Sequence, residues 1–290
     1  MRAKTVAMAN AETFEQHRKH VFGVAYRMLG SVADAEDVVQ DTWLRFAPAA
    51  PDNPRAWLTT VATRLSIDRL RELKSRREEY AGPWLPEPMF TQYHESADQN
   101  GMLAESLTLA FLAMLERLNE TERAVLLLRE VFNYEYSEIA TIVERSEANC
   151  RQIFSRAKER LGRPPRYEPD ARVTQDLLSR LIAALQSGDA KRLVTLLSDD
   201  VVLVSDGGGK VSAALRPLRG TDNVSRFLLG ISRQAPPNSR VEFREINGQP
   251  AMLLFGNGSL IAVGALEIQN GKITGLNFVR NPEKLAHLSL

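Results

Sequence analysis

Residues 136–161 read YSEIATIVERSEANCRQIFSRAKERL, and their spacing divides the stretch into two helices. Ser137 and Ser146 are placed to cap these helices, because a serine hydroxyl can accept a hydrogen bond from the first helical turn. The pair Glu144–Arg145 marks the break between them. The second helix carries an apolar stripe at i, i+4, i+7 and i+11: Cys150, Phe154, Ala157 and Leu161. We therefore predict a short helix, a tight turn and a longer amphipathic helix.

The outer face of the second helix is polar and basic. Its side chains are Asn149, Arg151, Gln152, Ser155, Arg156 and Lys158. Arginine, asparagine and glutamine can hydrogen-bond to base edges, whereas lysine and serine suit phosphates. A helix-turn-helix presents such a recognition helix to the major groove of DNA. An ordinary two-helix hairpin is the alternative, because the turn lacks the glycine that is often found there.

Basic residues are segregated along the chain, although the net charge is only +1. Residues 55–77 contain seven Lys or Arg against two acids, and residues 145–166 contain the same numbers. Between them, residues 78–105 contain six acids and no Lys or Arg. Two basic clusters around an acidic connector favour two contacts with a polyanion such as nucleic acid. Basic helix faces that are merely solvated would give the same distribution.

The first basic cluster lies in a helical stretch at residues 53–77, NPRAWLTTVATRLSIDRLRELKSRR. Pro54 suits its first turn. One apolar face is predicted at Leu58, Val61, Ala62 and Leu65, and another face gathers Thr60, Arg64, Arg71 and Lys74. Trp57 lies near the polar face, where it could stack on an unpaired base. Packing inside a helical bundle is the alternative role for this ring.

An acidic helix precedes the first basic cluster. Residues 31–46, SVADAEDVVQDTWLRF, begin with a capping serine and present four acids: Asp34, Glu36, Asp37 and Asp41. Such a face is a poor partner for DNA and a plausible docking surface for a basic protein, although acidic faces are usually only solvated.

The size and composition of the chain predict a cytoplasmic protein of several domains. Its 290 residues are enough for two or three compact units. Cys150 is the single cysteine, so no intramolecular disulfide can form, and its place on an apolar stripe predicts burial. The sequence contains no apolar run of membrane-spanning length. The four histidines are scattered, so no metal site is predicted.

The C-terminal part of the chain changes character. Helices are expected at 173–186, from Asp189 onwards and from Thr221 to Ser232, with a strand at 200–204. Four β-like segments follow, RVEFREI, AMLLFG, SLIAVGALEIQ and KITGLNFV, separated by the turn signals NGQP, GNG and NGK. These patterns predict an α+β fold for residues 172–290, with a curved antiparallel sheet wrapped around a helix.

The first half of the chain resembles a bacterial sigma factor of the extracytoplasmic-function type. The resemblance covers roughly residues 10–163 and is carried by three stretches in order: FGVAYRMLGSVADAEDVVQDTWLRF, NPRAWLTTVATRLSIDRLR and LNETERAVLLLREVFNYEYSEIATIVERSEANCRQIFSRAKERL. It implies two all-α domains, sigma region 2 at residues 10–80 and sigma region 4 at residues 105–164, with a linker at residues 81–104. In that family region 2 binds the β′ clamp helices of RNA polymerase and reads the −10 promoter element. Region 4 binds the β flap and reads the −35 element.

The resemblance assigns roles to the residues described above. The acidic face of residues 34–41 would dock on core polymerase. The −10 side would comprise Trp57, Thr60, Arg64, Asp68, Arg69, Arg71 and Lys74. The −35 side would comprise Asn149, Arg151, Gln152, Ser155, Arg156 and Lys158.

Three short motifs are similar to those of the sigma-J-like subgroup, which carries a C-terminal SnoaL-like extension with an NTF2-like cone fold. They are WLPEP (Trp84, Leu85, Pro86, Glu87, Pro88), DGGGK (Asp206, Gly207, Gly208, Gly209, Lys210) and NPEKL (Asn281, Pro282, Glu283, Lys284, Leu285). The expected protein is a sigma factor whose cone regulates it by docking on the linker and on one or both DNA-binding units, with DGGGK and NPEKL lining that interface. An unknown small ligand in the cone is one candidate signal. Prolines stiffen the linker and a tryptophan offers a large apolar contact. A simple spacer is the alternative.

Two other functions stay open on the sequence. One is a helix-turn-helix regulator that acts without core polymerase. The other is a sigma factor whose cone is also an enzyme, with Asp206 as general base. Asp206 precedes three glycines, a context expected to be mobile, and the DGGGK motif lacks the spacing of a P-loop. We therefore expect no enzymatic activity and no cofactor.

Overall fold

The described part of the chain forms two compact units. The computed structural model describes residues 2–49, 51–91, 105–162 and 171–288. A helical unit contains residues up to 78, together with 105–106 and 114–162. A sheet unit contains residues 79–91, 107–113 and 171–288. The first part of the expected linker therefore belongs to the sheet unit, whereas residues 92–104 of that linker lie outside the described residues.

Three helices form the first part of the helical unit: α1 (Arg2–Leu29), α2 (Val32–Phe46) and α3 (Pro54–Glu78). Ser31 caps α2, because its hydroxyl accepts a hydrogen bond from the amide of Asp34 at 3.3 Å. Proline opens α3, as its missing N–H allows at a first helical position.

The buried face of α3 differs from the one predicted. Val61 and Leu65 are only half-buried. The buried side chains are Leu58, Thr59, Ala62, Thr63, Ser66, Ile67 and Leu70. Small hydroxyl residues fit this face because they can bond to the carbonyl one turn earlier, as Ser66 does to Ala62 at 2.7 Å. A hydrophobicity pattern does not register such positions.

The second part of the helical unit contains α4 (Leu109–Leu115, which begins in the sheet unit), α5 (Glu120–Leu126), a π-helical turn (Leu127–Val131), α6 (Tyr136–Val143) and α7 (Glu147–Leu161). The predicted break is confirmed: Glu144 adopts a left-handed conformation with φ 56°, so the turn forms without glycine. Ser146 caps α7, as predicted. The cap assigned to Ser137 is wrong, because Glu135 occupies the N-cap of α6 and forms a capping box with Glu138.

Three helices and six strands form most of the sheet unit. The helices are α8 (Ala171–Ser187), α9 (Ala190–Leu196) and α10 (Thr221–Arg233). The strands are β1 (Leu197–Asp206), β2 (Leu218–Arg219), β3 (Arg240–Ile246), β4 (Gln249–Gly256), β5 (Ser259–Gln269) and β6 (Lys272–Val279). The chain then forms α11 (Pro282–Leu285) and a 3-10 turn (Ala286–Leu288).

The sheet is mixed, and not antiparallel throughout as expected. Its strand order is β2-β1-β6-β5-β4-β3, and β1 pairs with β6 in parallel. Strands β3 to β6 form an antiparallel meander, and β6, its last strand, runs in the same direction as β1. Each hairpin turns at an Asn-Gly pair with positive φ at both residues, at 247–248, 257–258 and 270–271. This is the pairing that tight hairpins prefer, so the turn signals in the sequence are confirmed.

Two separate apolar clusters pack on the sheet. One apolar cluster joins Leu203, Leu266 and Leu276 of the sheet to side chains of α8, α9 and α10. The second cluster packs sheet residues against segments that are distant in sequence: Leu85, Leu109, Leu285 and Leu288. Leu85 and Leu109 are almost completely buried there. The linker segment is therefore part of the core of the sheet unit.

A partly buried carboxyl on β5 makes the stability of the sheet unit depend on pH. Glu267 accepts a hydrogen bond from Asn277 Nδ2 at 2.9 Å, and burial raises its pKa despite that bond. Gly275 leaves room for this side chain, because a Cβ there would lie 2.5 Å from the Glu267 carboxyl carbon. Ionised Glu267 therefore destabilises the fold, and the penalty grows as the pH rises through the range between the unfolded and folded pKa values.

We predict that Glu267→Gln raises the melting temperature at pH 7, because glutamine keeps the acceptor oxygen and carries no charge. The gain should vanish as the pH falls below about 4, near the unfolded pKa of glutamate, where the wild-type side chain is neutral in both states. Thermal unfolding from pH 4 to pH 8 measures this, with the exposed Glu245→Gln as a control. A Glu267→Gln protein that is less stable than wild type at pH 7 would refute the assignment.

Candidate functional site

An aromatic pair supports two basic side chains of α7. Tyr136 and Phe154 lie 6.1 Å apart in a T-shaped arrangement. The Arg151 guanidinium lies 4.9 Å from the Tyr136 ring centroid, and that of Arg129 lies 5.0 Å from the same centroid. Lys158 lies 5.3 Å from the Phe154 centroid. Cation–π contacts of this kind restrict where a long basic side chain points.

Acidic neighbours fix the same two cations further. Arg151 pairs with Glu147 one turn earlier at 3.1 Å, and Lys158 pairs with Glu130 at 3.1 Å. The Lys158–Glu130 pair borders an open groove of about 540 Å³, which is lined by Arg129, Glu130, Asn133, Glu135, Tyr136, Phe154 and Lys158. Gln152, Ser155 and Arg156 are exposed on α7, and Asn149 is half-buried. The structure thus brings all six predicted −35 side chains onto one helix, and sequence reasoning missed Tyr136 because it lies on the other helix.

The side chains predicted for the −10 side lie along α3, and they differ in what they contact. Arg64 and Arg71 reach the α4–α7 part of the helical unit, with Arg64 bonded to the Ile142 carbonyl in the last turn of α6 and Arg71 paired with Glu120. Trp57 packs on Phe46, with ring centroids 5.6 Å apart, as the core interpretation predicts, and it stays half-buried. The Thr60 hydroxyl donates to its own helix. Asp68 and Lys74 are exposed.

Arg69 joins the predicted −10 side to the predicted docking face. It pairs with Asp34 at 2.7 Å and lies 3.7 Å from Asp37. The hydrogen bond to Asp34 contributes most to raising the pKa of Arg69. Glu36 is also paired, with Arg18 at 2.5 Å, whereas Asp41 is exposed. The acidic face of α2 is therefore partly neutralised by the protein itself, which the charge pattern of one helix could not reveal.

A buried carboxylate in the sheet unit holds the linker segment. Asp206, at the end of β1, is completely buried. Its Oδ1 accepts from the Tyr80 hydroxyl at 2.6 Å and the Gly208 amide at 3.0 Å. Its Oδ2 accepts from the Leu85 amide and from Lys284 Nζ, both at 2.8 Å. The expectation of a mobile Asp206 is wrong, because four hydrogen bonds fix this carboxylate.

Lys284 completes the same cluster from the C-terminal side. This residue is 5% exposed, and its ammonium pairs with Asp206 and donates to the Leu85 carbonyl at 2.5 Å. It also lies 4.0 Å from the Trp84 ring centroid and 4.9 Å from that of Tyr80. Burial and the hydrogen bond to Asp206 raise the pKa of Tyr80, so its hydroxyl stays protonated as a donor. These contacts of the Lys284 ammonium replace the hydrogen bonds to water that it loses on burial.

The glycines of DGGGK allow the motif to approach NPEKL. A Cβ at Gly208 would lie 2.3 Å from Asn281 Nδ2, which donates to the Tyr80 hydroxyl at 2.9 Å. Gly208 and Gly209 also have positive φ, at 60° and 70°. Lys210 pairs with Glu283 at the surface, where both side chains are exposed. The three motifs WLPEP, DGGGK and NPEKL therefore meet within the sheet unit.

The end of the linker segment binds the β3–β4 turn. The Met89 amide donates to Asn247 Oδ1 and the Asn247 amide donates to the Met89 carbonyl, both at 2.9 Å. Asn247 Nδ2 also donates to the Leu107 carbonyl at 2.9 Å, and Phe90 forms a β-bridge to Ile246. His287 bonds to the Pro88 carbonyl at 2.7 Å. The sequence marks Asn247 only as a turn residue, and no motif singles out Tyr80 or His287.

Comparison with known proteins identifies the family. Residues 13–76 match Sigma-70 region 2, and residues 108–161 match Sigma-70 region 4. The chain is 36% identical over 288 residues to the ECF RNA polymerase sigma factor SigJ of Mycobacterium tuberculosis, covering 93% of this chain and 91% of that protein. The protein belongs to the extracytoplasmic-function (ECF) sigma factor family. As an ECF sigma factor it acts with RNA polymerase and directs promoter-specific initiation of transcription.

Other relatives of this ECF sigma factor share its full extent. The probable ECF sigma factor SigI of Mycobacterium tuberculosis is 31% identical over 275 residues, covering 93% of this chain and 92% of that one. The crystal structure of M. tuberculosis SigJ matches with a TM-score of 0.76 and 33% identity, covering 95% of this chain and 98% of that chain. The sheet unit is therefore part of the shared architecture.

Within the described residues no helix combines the length and the apolar character needed to span a membrane. The same residues contain no group of three or more His, Cys, Asp or Glu side chains placed to hold a metal ion.

We predict that Lys284→Met destabilises the sheet unit by about 3–5 kcal/mol, because it leaves Asp206 as a buried charge without its counterion. Denaturant unfolding measures the loss. Lys210→Met is the matched control from the DGGGK motif: its pair with Glu283 is exposed, so the expected change is about 1 kcal/mol or less. Equal effects of the two changes would contradict a structural role for the buried pair.

Proposed function

We propose that the sheet unit regulates this sigma factor in cis by holding the linker between the two promoter-binding helices. The observation that carries the proposal is the buried cluster of Asp206, Lys284, Tyr80 and the Leu85 backbone. The chain leaves α3 at Glu78 and enters the sheet unit, which also contains residues 107–113 just before the rest of α4. Both ends of the linker are thus restrained by one domain.

The restraint matters because the linker sets how far regions 2 and 4 can separate. A free chain of this length would let the two regions sample many distances, whereas a docked one limits them. Any ligand or partner that binds the docked and undocked forms with different affinity would shift transcription. An unknown small molecule bound to the sheet unit is one such effector.

The partners follow from the family and from the charge of each face. We propose that α2 docks on the β′ clamp of core polymerase through its acidic face, and that the α4–α7 part docks on the β flap. On this assignment α3 contacts the −10 element and α7 reads the −35 element. The protein would act in the cytoplasm, where bacterial polymerase and promoter DNA are found.

A catalytic role for the sheet unit has little support. Asp206 is the acid that the sequence suggested as a general base. All four of its hydrogen bonds go to the linker segment and the adjoining motifs. We propose a structural and regulatory role for this carboxylate, and no enzymatic step.

Point variants test cis regulation more cleanly than truncation. Ending the chain near residue 166 would uncover Leu85 and Leu109, which are buried in the sheet unit, and so would confuse lost regulation with exposed apolar surface. Lys284→Met keeps the chain complete and weakens linker docking.

We predict that Lys284→Met increases transcription from a cognate promoter several-fold in a reconstituted reaction with core polymerase, because the linker is released more often. Lys210→Met, in the exposed pair, should transcribe like wild type. The fraction of Lys284→Met protein whose helical unit is folded is measured at the assay temperature, so that the rate is expressed per molecule with intact regions 2 and 4. Unchanged transcription by folded Lys284→Met would overturn cis regulation through this cluster.

A second prediction concerns the −35 element. Arg151→Ala should weaken holoenzyme binding by about 1–3 kcal/mol and relax base preference at one −35 position. Tyr136→Leu should give a smaller loss at that same position, because Arg151 loses the ring that orients it, whereas Tyr136→Phe should behave like wild type. Binding to a panel of −35 variants measures both effects. Ser137→Ala, exposed on α6, is the control, and a loss spread evenly over all −35 positions would contradict base reading by Arg151.

A further inference from the structure

Asn10 of α1 caps the C-terminal end of α2 from outside that helix. Its Nδ2 lies 2.7 Å from the Ala49 carbonyl oxygen, 3.0 Å from that of Ala47 and 3.4 Å from that of Phe46. The last carbonyls of a helix have no partners within it. Ala47 is right-handed and Pro48 follows it, so α2 does not close on a left-handed residue that would bond these carbonyls. The Asn10 amide supplies hydrogen bonds that α2 cannot supply itself.

The same face of α1 packs an aromatic ring on this end of α2. Phe14 lies one turn after Asn10, and residues at i and i+4 share a helix face. The Phe14 ring centroid is 6.2 Å from that of Phe46 and 5.2 Å from that of Trp43. Phe46, the last residue of α2, is almost completely buried. Asn10 therefore holds the backbone of this helix end while Phe14 holds its side chains.

Phe46 in turn supports Trp57 of α3. Their ring centroids lie 5.6 Å apart, with the rings tilted by 51°. Trp57 stays half-buried, so part of its indole is open to solvent. Thr60 and Arg64, at i+3 and i+7, lie on the same side of α3 as Trp57. An indole that is packed on one side and open on the other has the form of a stacking platform for an unpaired base.

We infer that Asn10 is a positioning residue for recognition of the −10 element. By holding the end of α2 it fixes Phe46, and through Phe46 it fixes the direction in which Trp57 presents its ring. Asn10 itself touches no DNA. The inference rests on the proposed assignment of α3 to the −10 element, and it extends the machinery of that site to α1, a helix to which the sequence assigned no promoter contact.

A fixed ring direction affects base preference more than binding. Every base has a π-face, so a freely moving indole would stack on any unpaired base. A held indole accepts a base in one orientation, which brings one edge of that base towards the polar side of α3. Loss of the support from Asn10 should therefore reduce discrimination at one position of the −10 element.

Asn10→Asp tests the inference with an isosteric change, because a carboxylate has no N–H to donate and repels the carbonyl oxygens that it faces. The variant holoenzyme should open a cognate promoter about three- to tenfold more slowly, the effect of losing a hydrogen bond, and lose a similar factor of preference at one −10 position. A panel of templates, each with one −10 base replaced, measures both effects. Core polymerase affinity should equal that of wild type.

Asn223→Asp is the matched control. The Asn223 amide also donates to a backbone carbonyl, that of Arg219 at 3.0 Å, but it lies in the sheet unit. This variant should match wild type on every template. If Asn10→Asp slows opening equally on all templates of the panel, or weakens core affinity as well, its role is only structural and the inference is overturned.

A double-mutant cycle separates positioning from general stability. Trp57→Ala removes the ring that Asn10 directs, so adding Asn10→Asp to it should reduce base preference by less than about twofold, whereas the effects of independent residues multiply. Melting temperatures of the four proteins are measured first, and the assays are run below all of them. Multiplying losses of base preference would overturn the inference.

The two proposals fail separately. If Trp57→Ala keeps the opening rate and the base preference of wild type, the placement of the −10 element on this part of α3 is wrong. If Trp57→Ala loses base preference and Asn10→Asp does not, that placement stands and Asn10 has no positioning role.

Discussion

The fold of the sheet unit depends on one buried ion pair and the chain that it holds. Asp206 ends β1 and Lys284 lies on α11, and both are bonded to the backbone of Leu85. Neither charge could be buried alone, because the loss of water would cost several kcal/mol. Each therefore requires the other, together with the linker. The stability of the C-terminal domain and the position of the linker are in this way the same physical property.

The architecture of the chain could be predicted from its sequence where local chemistry decides it. Ser31 and Ser146 marked helix starts, and the Asn-Gly pairs marked the hairpin turns of the sheet. The parallel pairing of β1 with β6 could not be predicted, because it depends on how distant segments come together. The same holds for the buried Thr59, Thr63 and Ser66 on α3, which hydrophobicity does not distinguish from surface residues.

The candidate sites show the same division. Motif resemblance named Asp206 and Lys284, but their pairing, and the contributions of Tyr80 and Asn247, are visible only in three dimensions. Charge runs indicated two basic faces, yet they could not show that Arg69 would be bound by Asp34, or Arg64 by the last turn of α6. A pattern reports which charges a helix carries, whereas the fold decides which of them are already neutralised.

The interleaving of the two units also has a consequence for the order in which the protein is made. Trp84 and Leu85 leave the ribosome 200 residues before Lys284, the last member of the cluster that holds them. At 5–20 residues per second this interval is roughly 10–40 s. During that time regions 2 and 4 are complete while their linker has no docking partner. The newly made chain therefore passes through a stage at which its promoter-binding half exists without the restraint of its C-terminal domain.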